Sequence, residues 1–497
     1  MAVMRAARLN VRTLPGDGAA WRLGGALVAG SAALSAGLAW SPFLTIGTAA
    51  GAVLTMFALT QPLALIGLML VLGPADLSFV TGGFKSMLGE FGGLDMNGIR
   101  LVGMSAALGL VVIAERNVWR QLFRPAALFY ALLVGWGAAS LAFSPAPLDG
   151  ARLLLKIAYP LLVFLVIAGL SPDRQRLDRL MDWVLIGAAV LCLLINPLYV
   201  AFGDFEREIG GWLRLRGVGT HQNPFAFYLI AAVIMSFVRF TTRRQARYLV
   251  LCVICGGWMV LTITRIAFLA ALVALFAVGI VSAVAARQTR GLAAAVVAGI
   301  ALAIPFAPPV LERSFGFMPS PGELLVLLRS PDMLMTAINW EGRMIFWTVL
   351  YQAFMTSPIL GLGLGASTHV LRLHFPMFAA PVAHNDYLRL MTELGMIGVA
   401  LFSAAVIAWT FVAVRAARVP DRTVREYALP AVGCLAALAI IGLTDNAFDY
   451  YGPFTQYTGF LCGGAVAAAA CRARQVEGQA EPAEESQPRH RTAAWTR

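Results

Sequence analysis

The sequence predicts an all-α polytopic membrane protein with about twelve to fourteen transmembrane helices. Hydrophobic residues fill 59% of its 497 positions and charged residues 13%, with a mean hydropathy of +0.76, which is far too apolar for a soluble globular chain. Apolar runs of spanning length follow one another, separated by short charged links. They lack the strict alternation of a barrel strand, so helices remain as the way to satisfy every backbone group in lipid.

Taken in order, the runs cover 23–40, 43–59, 62–73, 99–114, 125–143, 153–170, 181–202, 223–238, 248–263, 266–286, 291–309, 390–414, 427–443 and 454–470. The first follows Arg5, Arg8, Arg12 and Arg22, a pattern shared by signal peptides and first transmembrane helices; the many later spans favour the helix. The chain then divides into an N-terminus (1–22), a helical bundle (23–309), a loop domain (310–389), C-terminal helices (390–470) and a tail (471–497). The tail is rich in Glu, Pro and Gln and reads as disordered.

Orientation follows from the arginines, because basic residues beside a span resist translocation. With the N-terminus inside, every second link is basic: Arg116, Arg120 and Arg124; Arg174, Arg176 and Arg179; Arg239, Arg243, Arg244 and Arg247; Arg287 and Arg290; Arg415, Arg418, Arg422 and Arg425. Both termini are therefore expected in the cytoplasm. These links and the two termini together hold 25 of the 38 basic residues, so the formal charge of +12 is a topology signal. It lends no support to nucleic-acid binding, which needs cations gathered on one folded surface. Cys192, Cys252, Cys255, Cys434 and Cys462 lie inside apolar runs, and the Cys252-x-x-Cys255 pair reads as helix interior, not as a redox or metal site.

Charges that topology does not explain mark candidate chemistry. Arg207, Arg214, Arg216, Arg265, Arg313, Arg329, Arg343, Arg372 and Arg389 all fall on the outer side against the positive-inside tendency. Arg265 stands in a turn so short that its guanidinium must lie at the apolar boundary, where it either snorkels to a partner or forms an anion site. Arg214 and Arg216 lie among glycines just before Asn223-Pro224, which opens the next span. Close backbone approach and a helix N-terminus both suit an anion there.

The outer segment 310–389 is the long interruption in the apolar pattern. Residues 341–354 carry apolar and aromatic side chains at helical spacing, so a cap helix is expected, packed on other helices or on the membrane surface. The run Gly361-Leu-Gly363-Leu-Gly365 breaks it; no βαβ unit surrounds these glycines, so a nucleotide loop is excluded. His384-Asn385-Asp386-Tyr387 then opens a helix. A lone histidine there is ordinarily a structural hydrogen-bonding group, but the adjacent Asn385 and Asp386 and the arginines of the same face favour catalysis. His369, His374 and His384 are spaced wrongly for metal ligands on one helix, and no Asp-x-Asp occurs, so no metal and no cofactor are expected.

These residues carry a resemblance. Arg216-Gly-x-Gly-x-x-x-Asn223-Pro-x-Ala, Thr-Arg265-x-Ala-Phe-Leu, Gly-Arg343-x-x-x-Trp347, Pro-x-x-Gly361-x-Gly363-x-Gly365, and His384-Asn385-x-Tyr387-Leu388 with Glu393-Leu-Gly-x-x-Gly398 resemble, in this order, the O-antigen ligase and polysaccharide polymerase superfamily. The resemblance implies a GT-C-like membrane glycosyltransferase of the bacterial inner membrane with a periplasmic loop domain. It takes a glycan from undecaprenyl diphosphate and passes it to a sugar hydroxyl without a metal. In a ligase the acceptor is the lipid A core, and in a polymerase another lipid-linked repeat unit.

The implied chemistry suits the residues. Breaking a sugar–diphosphate bond leaves negative charge that, without Mg²⁺, fixed guanidiniums must meet. By motif, Arg216 and Arg265 are the donor-diphosphate pair. His384 is the base for the attacking hydroxyl, a task for which the histidine side chain, with an unperturbed pKa of about 6.5 in model peptides, is suited. Asn385 or Asp386 would orient it, and Arg343 and Arg214 are supporting candidates. Ligase is the preferred reading and polymerase the alternative. A lipid-linked oligosaccharide transporter would need charges deep in several spans, where Lys156 is the main candidate.

Overall fold

The computed structural model describes residues 54, 56–74, 96–201, 205–207, 213–215, 217, 222–286, short stretches between 293 and 316, then 318–330, 333, 337, 342–378 and 381–480. The N-terminal segment 1–22, the run 23–40, Arg216 and the tail beyond 480 lie outside the described residues. The chain falls into two units, Met1–Thr60 and Gln61–Arg497. Of the first, a short helical piece is described, in which the Thr60 hydroxyl donates to the Met56 carbonyl. All that follows concerns the second.

Its helices are α1 (Pro62–Leu72), α2 (Met96–Ala114), α3 (Arg116–Arg120), α4 (Pro125–Ser140), α5 (Pro147–Leu170), α6 (Arg174–Val190), α7 (Gln222–Arg243), α8 (Ala246–Leu261), α9 (Arg265–Ala286), α10 (Pro321–Arg329), α11 (Arg343–Thr356), α12 (Ala366–His374), α13 (Asp386–Ala417), α14 (Arg422–Ile441) and α15 (Gln456–Ala480). Strands β1 (Phe205–Arg207) and β2 (Leu213–Leu215) form a small antiparallel ribbon between α6 and α7, with Glu206 opposite Arg214. Helix starts follow local chemistry. Proline occupies the first turn of α1, α4, α5 and α10, while Asp173, Asn385 and Asp421 accept from backbone N–H groups to cap α6, α13 and α14.

Among the described residues seven helices are long and apolar enough to cross a membrane, or eight if the pair Arg100–Ala114 and Arg116–Phe123, bent by 91°, counts as one. Pro62–Leu72 and Ala246–Leu261 are apolar but shorter. The all-α polytopic fold is thus as the sequence predicts. The larger expected count arose because apolar composition alone does not separate short helices from spans, and because some runs lie wholly or partly outside the described residues.

Helix α7 is the centre of the bundle, with every side chain from Gln222 to Arg239 buried. It packs against α8, α9 and α14. A Cβ added at Gly433, midway along α14, would meet Ile234 of α7 and Val278 of α9 at 3.0 Å, so the three helices touch at matching heights. At one end of this trio, buried Glu426 accepts from Arg243 Nε at 2.7 Å and Nη2 at 2.6 Å and from the Thr242 hydroxyl at 3.1 Å. Arg239, itself buried, lies 3.2 Å from the same carboxylate and also pairs with Asp182 and Asp178. Three carboxylates around two arginines are what let such charges stay inside the bundle.

Helix α13 is broken at Gly395, whose φ of 64° and ψ of −165° suit glycine alone. The break strands backbone groups that a bilayer would leave unpaired. Segment 358–363 pairs with them: Leu362 and Gly363 N–H donate to the Thr392 and Glu393 carbonyls at 2.9 and 2.8 Å, and Met396 N–H donates to the Pro358 carbonyl at 2.9 Å. The glycine run that resembled a nucleotide loop is this seam. At Gly361, with φ of 77°, a Cβ would sit 2.4 Å from the Glu393 carbonyl oxygen.

Candidate active site

The cap helix α11 forms where helical spacing predicts it. Leu350 packs with Leu371 of α12 and Ala383, and Phe346, Val349, Phe375 and Leu388 close around them. Two polar ties from α11 hold the chain entering α13 and the link that follows α14. Trp347 Nε1 donates to the Ala383 carbonyl at 2.8 Å, and Arg343 Nη1 donates to the Thr444 carbonyl at 3.1 Å. Between them stands His384 with φ of 49°, a left-handed conformation uncommon outside glycine. Strain of this kind persists only where neighbours impose it.

His384 faces Asp445, in the link after α14, with Nδ1 3.4 Å from Oδ1. The carboxylate accepts and cannot donate, so this contact places a proton on Nδ1 and leaves Nε2 as the ring nitrogen free of Asp445. The His384 side chain is 29% exposed while that of Asp445 is 0% exposed, so a ligand reaches the imidazole and not the carboxylate behind it. Asp445 also accepts from Asn223 Nδ2 at 2.5 Å, Tyr450 OH at 3.2 Å and Asn446 N–H at 2.8 Å. Burial opposes its ionisation, but the His384 hydrogen bond and charge, the Asn446 N–H and the Arg343 charge hold its pKa below the ordinary aspartate value.

The expected orienting role of Asn385 or Asp386 needs correction. The Asn385 carbonyl oxygen caps α13 by accepting from Leu388 N–H at 2.9 Å. Asp386 is buried, accepts from Phe448 N–H at 3.2 Å and lies 3.8 Å from Arg389. Neither is hydrogen-bonded to His384; sequence neighbours on a helix start point away from one another, and the partner comes from 61 residues downstream. Asp445 went unnoticed in the sequence. Its signal was two acids, Asp445 and Asp449, in one short link between apolar runs with no base beside them.

Asp449 extends a second network. Lys156 donates to it at 2.7 Å and Arg389 at 2.9 Å, which together hold its carboxyl well below the usual range despite burial. Arg389 reaches on to Glu393, which accepts from Ser367. Lys156, the deep charge that a transporter reading would need, is therefore committed to a structural ion pair.

The arginines can be placed by connectivity. Asn223 touches Asp445, so α7 starts at the end of the bundle that holds His384. Helix α8 returns along α7, and α9 begins at Arg265 at that same end. Arg265 is half-buried and has interactions of its own. Arg214 is buried and donates through Nε to the Thr262 carbonyl at 3.0 Å, tying β2 to the link that leads into Arg265. Arg343 supports the histidine loop through Thr444, as described above. Among the described residues no three His, Cys, Asp or Glu side chains gather as a metal would require.

Residues 230–403 match the family model described as O-Antigen ligase. The match supports the O-antigen ligase and polymerase superfamily. It takes in Arg265, Arg343, His384, Asn385 and Asp386, while Asp445 lies beyond it. No curated protein matches the chain. For this superfamily a glycosyltransferase-like ligase or polymerase activity on lipid-linked glycans, embedded in a membrane, is the activity supported.

Proposed function

We propose that this protein transfers a glycan from undecaprenyl diphosphate to a sugar hydroxyl at the periplasmic face of the inner membrane, and that it is an O-antigen ligase whose acceptor is the lipid A core. The observation that carries the reading is the His384–Asp445 pair, part-exposed on one side and buried on the other, at the end of the bundle where Arg265 opens α9.

In this reading Nε2 of His384 takes the proton of the acceptor hydroxyl as its oxygen attacks the anomeric carbon. The bond from that carbon to the diphosphate oxygen breaks, and the electron pair leaves with the diphosphate. Asp445 keeps the imidazole in the tautomer that leaves Nε2 free and stabilises the imidazolium as it forms. Arg265, with Arg216, binds the diphosphate and meets the charge that grows on it. Arg214 and Arg343 hold the two loops in place, and no metal or cofactor takes part.

The test is reconstitution of the purified protein with a lipid-diphosphate glycan and acceptor. His384→Ala, Arg216→Ala and Arg265→Ala are each expected to abolish transfer, and full transfer by all three would overturn the site. Excess chelator should leave the rate unchanged. A deletion strain separates the two members of the superfamily: lipid-linked polymer accumulates if a ligase is lost, and single repeat units if a polymerase is lost.

A further inference from the structure

The opposite end of the bundle carries a cleft that the transfer chemistry does not use. Helix α2 ends at Ala114, and the chain turns by 91° into the segment Arg116–Phe123, which crosses the bundle axis before Pro125 starts α4. Val118 of this segment is fully buried and rests on α5, where a Cβ at Gly169 would meet Val118 Cα at 2.3 Å. Trp119 and Phe123 face outward, 43% and 65% exposed, with ring centroids 4.6 Å apart. A transverse segment with paired exposed aromatics and arginines is the arrangement of a helix lying in the interface between lipid and water.

That this end is remote from His384 follows from α14 and α5. Asp421, at the start of α14, pairs at 3.5 Å with Arg174, which opens α6 just after the end of α5, whereas the far end of α14 leads to Asp445.

Between the transverse segment, the end of α5 and α15 lies a cavity of about 320 Å³, lined by Arg120, Arg124, Arg474, Asn117, Gln121 and Ser171 among others. That volume matches roughly ten waters of liquid. Among the described residues no carboxylate lines it. Arg474 donates to the Ser171 carbonyl at 3.3 Å, which accounts for one guanidinium as a cap on the C-terminus of α5. Arg120 and Arg124 make no ion pair or side-chain hydrogen bond among the described residues. Both side chains are exposed, as groups that meet a lipid headgroup at the membrane surface must be. Here residues from two separate elements converge on one concave, acid-free site beside an interfacial helix.

We propose that this cleft binds the phosphate of an anionic phospholipid headgroup from the adjacent leaflet, with Arg120 and Arg124 donating to its oxygens and Trp119 and Phe123 seated among the neighbouring lipids. Guanidiniums match phosphate oxygens with forked donors, and basic groups beside a span draw anionic lipid. A free phosphate offers the same oxygens but gives no use to the exposed aromatic pair.

The full chain, reconstituted in discs of equal phosphatidylglycerol and phosphatidylcholine and then released into detergent, is read for retained lipid by native mass spectrometry. Wild type is expected to keep phosphatidylglycerol over phosphatidylcholine by roughly tenfold. Arg120→Gln/Arg124→Gln should remove the preference, while Arg116→Gln, on the same segment but outside the cleft, should keep it. Arg124→Lys should retain part of it, which separates lost charge from a misfolded chain. Equal retention of both lipids by wild type overturns the proposal whatever the variants do, as does an undiminished preference in the double variant. Inorganic phosphate is added to the lipid-stripped protein as a second arm. Phosphate that binds there and abolishes phosphatidylglycerol retention at millimolar concentration would assign the site to a free anion and overturn the lipid reading.

Discussion

Replacing Asp445 with asparagine keeps the shape of the side chain and removes its charge. The four groups around it, His384 Nδ1, Asn223 Nδ2, Tyr450 OH and Asn446 N–H, all donate. An amide offers one acceptor oxygen in place of two and brings donors of its own, so at least one buried bond is lost, at about 1–3 kcal/mol of stability. The effect on rate is separate. A charge-assisted hydrogen bond is worth about 1.5–3 kcal/mol, and the 3.4 Å separation from His384 puts this one at the low end. Asp445→Asn should therefore lower kcat roughly 10- to 30-fold with KM little changed. The assay is single-turnover transfer from a lipid-diphosphate glycan, with a melting temperature taken on the same preparation. If Asp445 acts through His384, then in a His384→Ala background the same change costs stability but no further activity. The comparison is made on the residual single-turnover rate of His384→Ala, and a further loss of roughly 10- to 30-fold in the double variant would refute the pairing.

Asp445 also sets an acid-stability expectation. Its pKa is lower in the folded protein than in the unfolded chain, so its contribution is complete above the unfolded value of about 3.9 and is lost as pH falls through the folded one. Melting temperature should fall less steeply below about pH 4 in Asp445→Asn than in wild type. Gly395→Ala places a Cβ 2.2 Å from the Ile359 carbonyl oxygen at a φ reserved for glycine; a loss of more than about 2 kcal/mol is expected, seen as a lower midpoint of thermal unfolding in detergent. Glu426→Ala removes the carboxylate that Arg239 and Arg243 share but leaves them Asp178 and Asp182, so a loss of about 1–3 kcal/mol is expected by the same measurement, with the chemistry of the folded protein unchanged.

The all-α class was legible because lipid imposes one rule on every span, and the cap helix was legible because its apolar spacing is local. His384, Arg265 and Arg343 were legible as charges and polar groups that topology left unexplained. Asp445 was not, because its partnership is a contact between two links 61 residues apart that no local pattern encodes. The partner of the glycine run was not legible for a related reason. Alternating glycines announce close backbone approach, and the sequence does not say to what; the answer was the broken helix at Gly395, where Glu393 and Met396 find their partners. Arg216 remains placed by motif alone, whereas Arg214, two residues before it, is fixed to Thr262 and has little freedom to bind a substrate.

The seam between 358–363 and α13 joins main chain to main chain, so it is blind to the side chains that decorate it. Ile359 and Leu360 stand 65% and 49% exposed on a strip whose backbone is held beside the break at Gly395. Their identities are free to change while the path leading from α11 to α12 stays registered to the bundle. Substitutions at these two positions, made one at a time, would thus leave the main-chain seam and the course of α13 behind His384 in place.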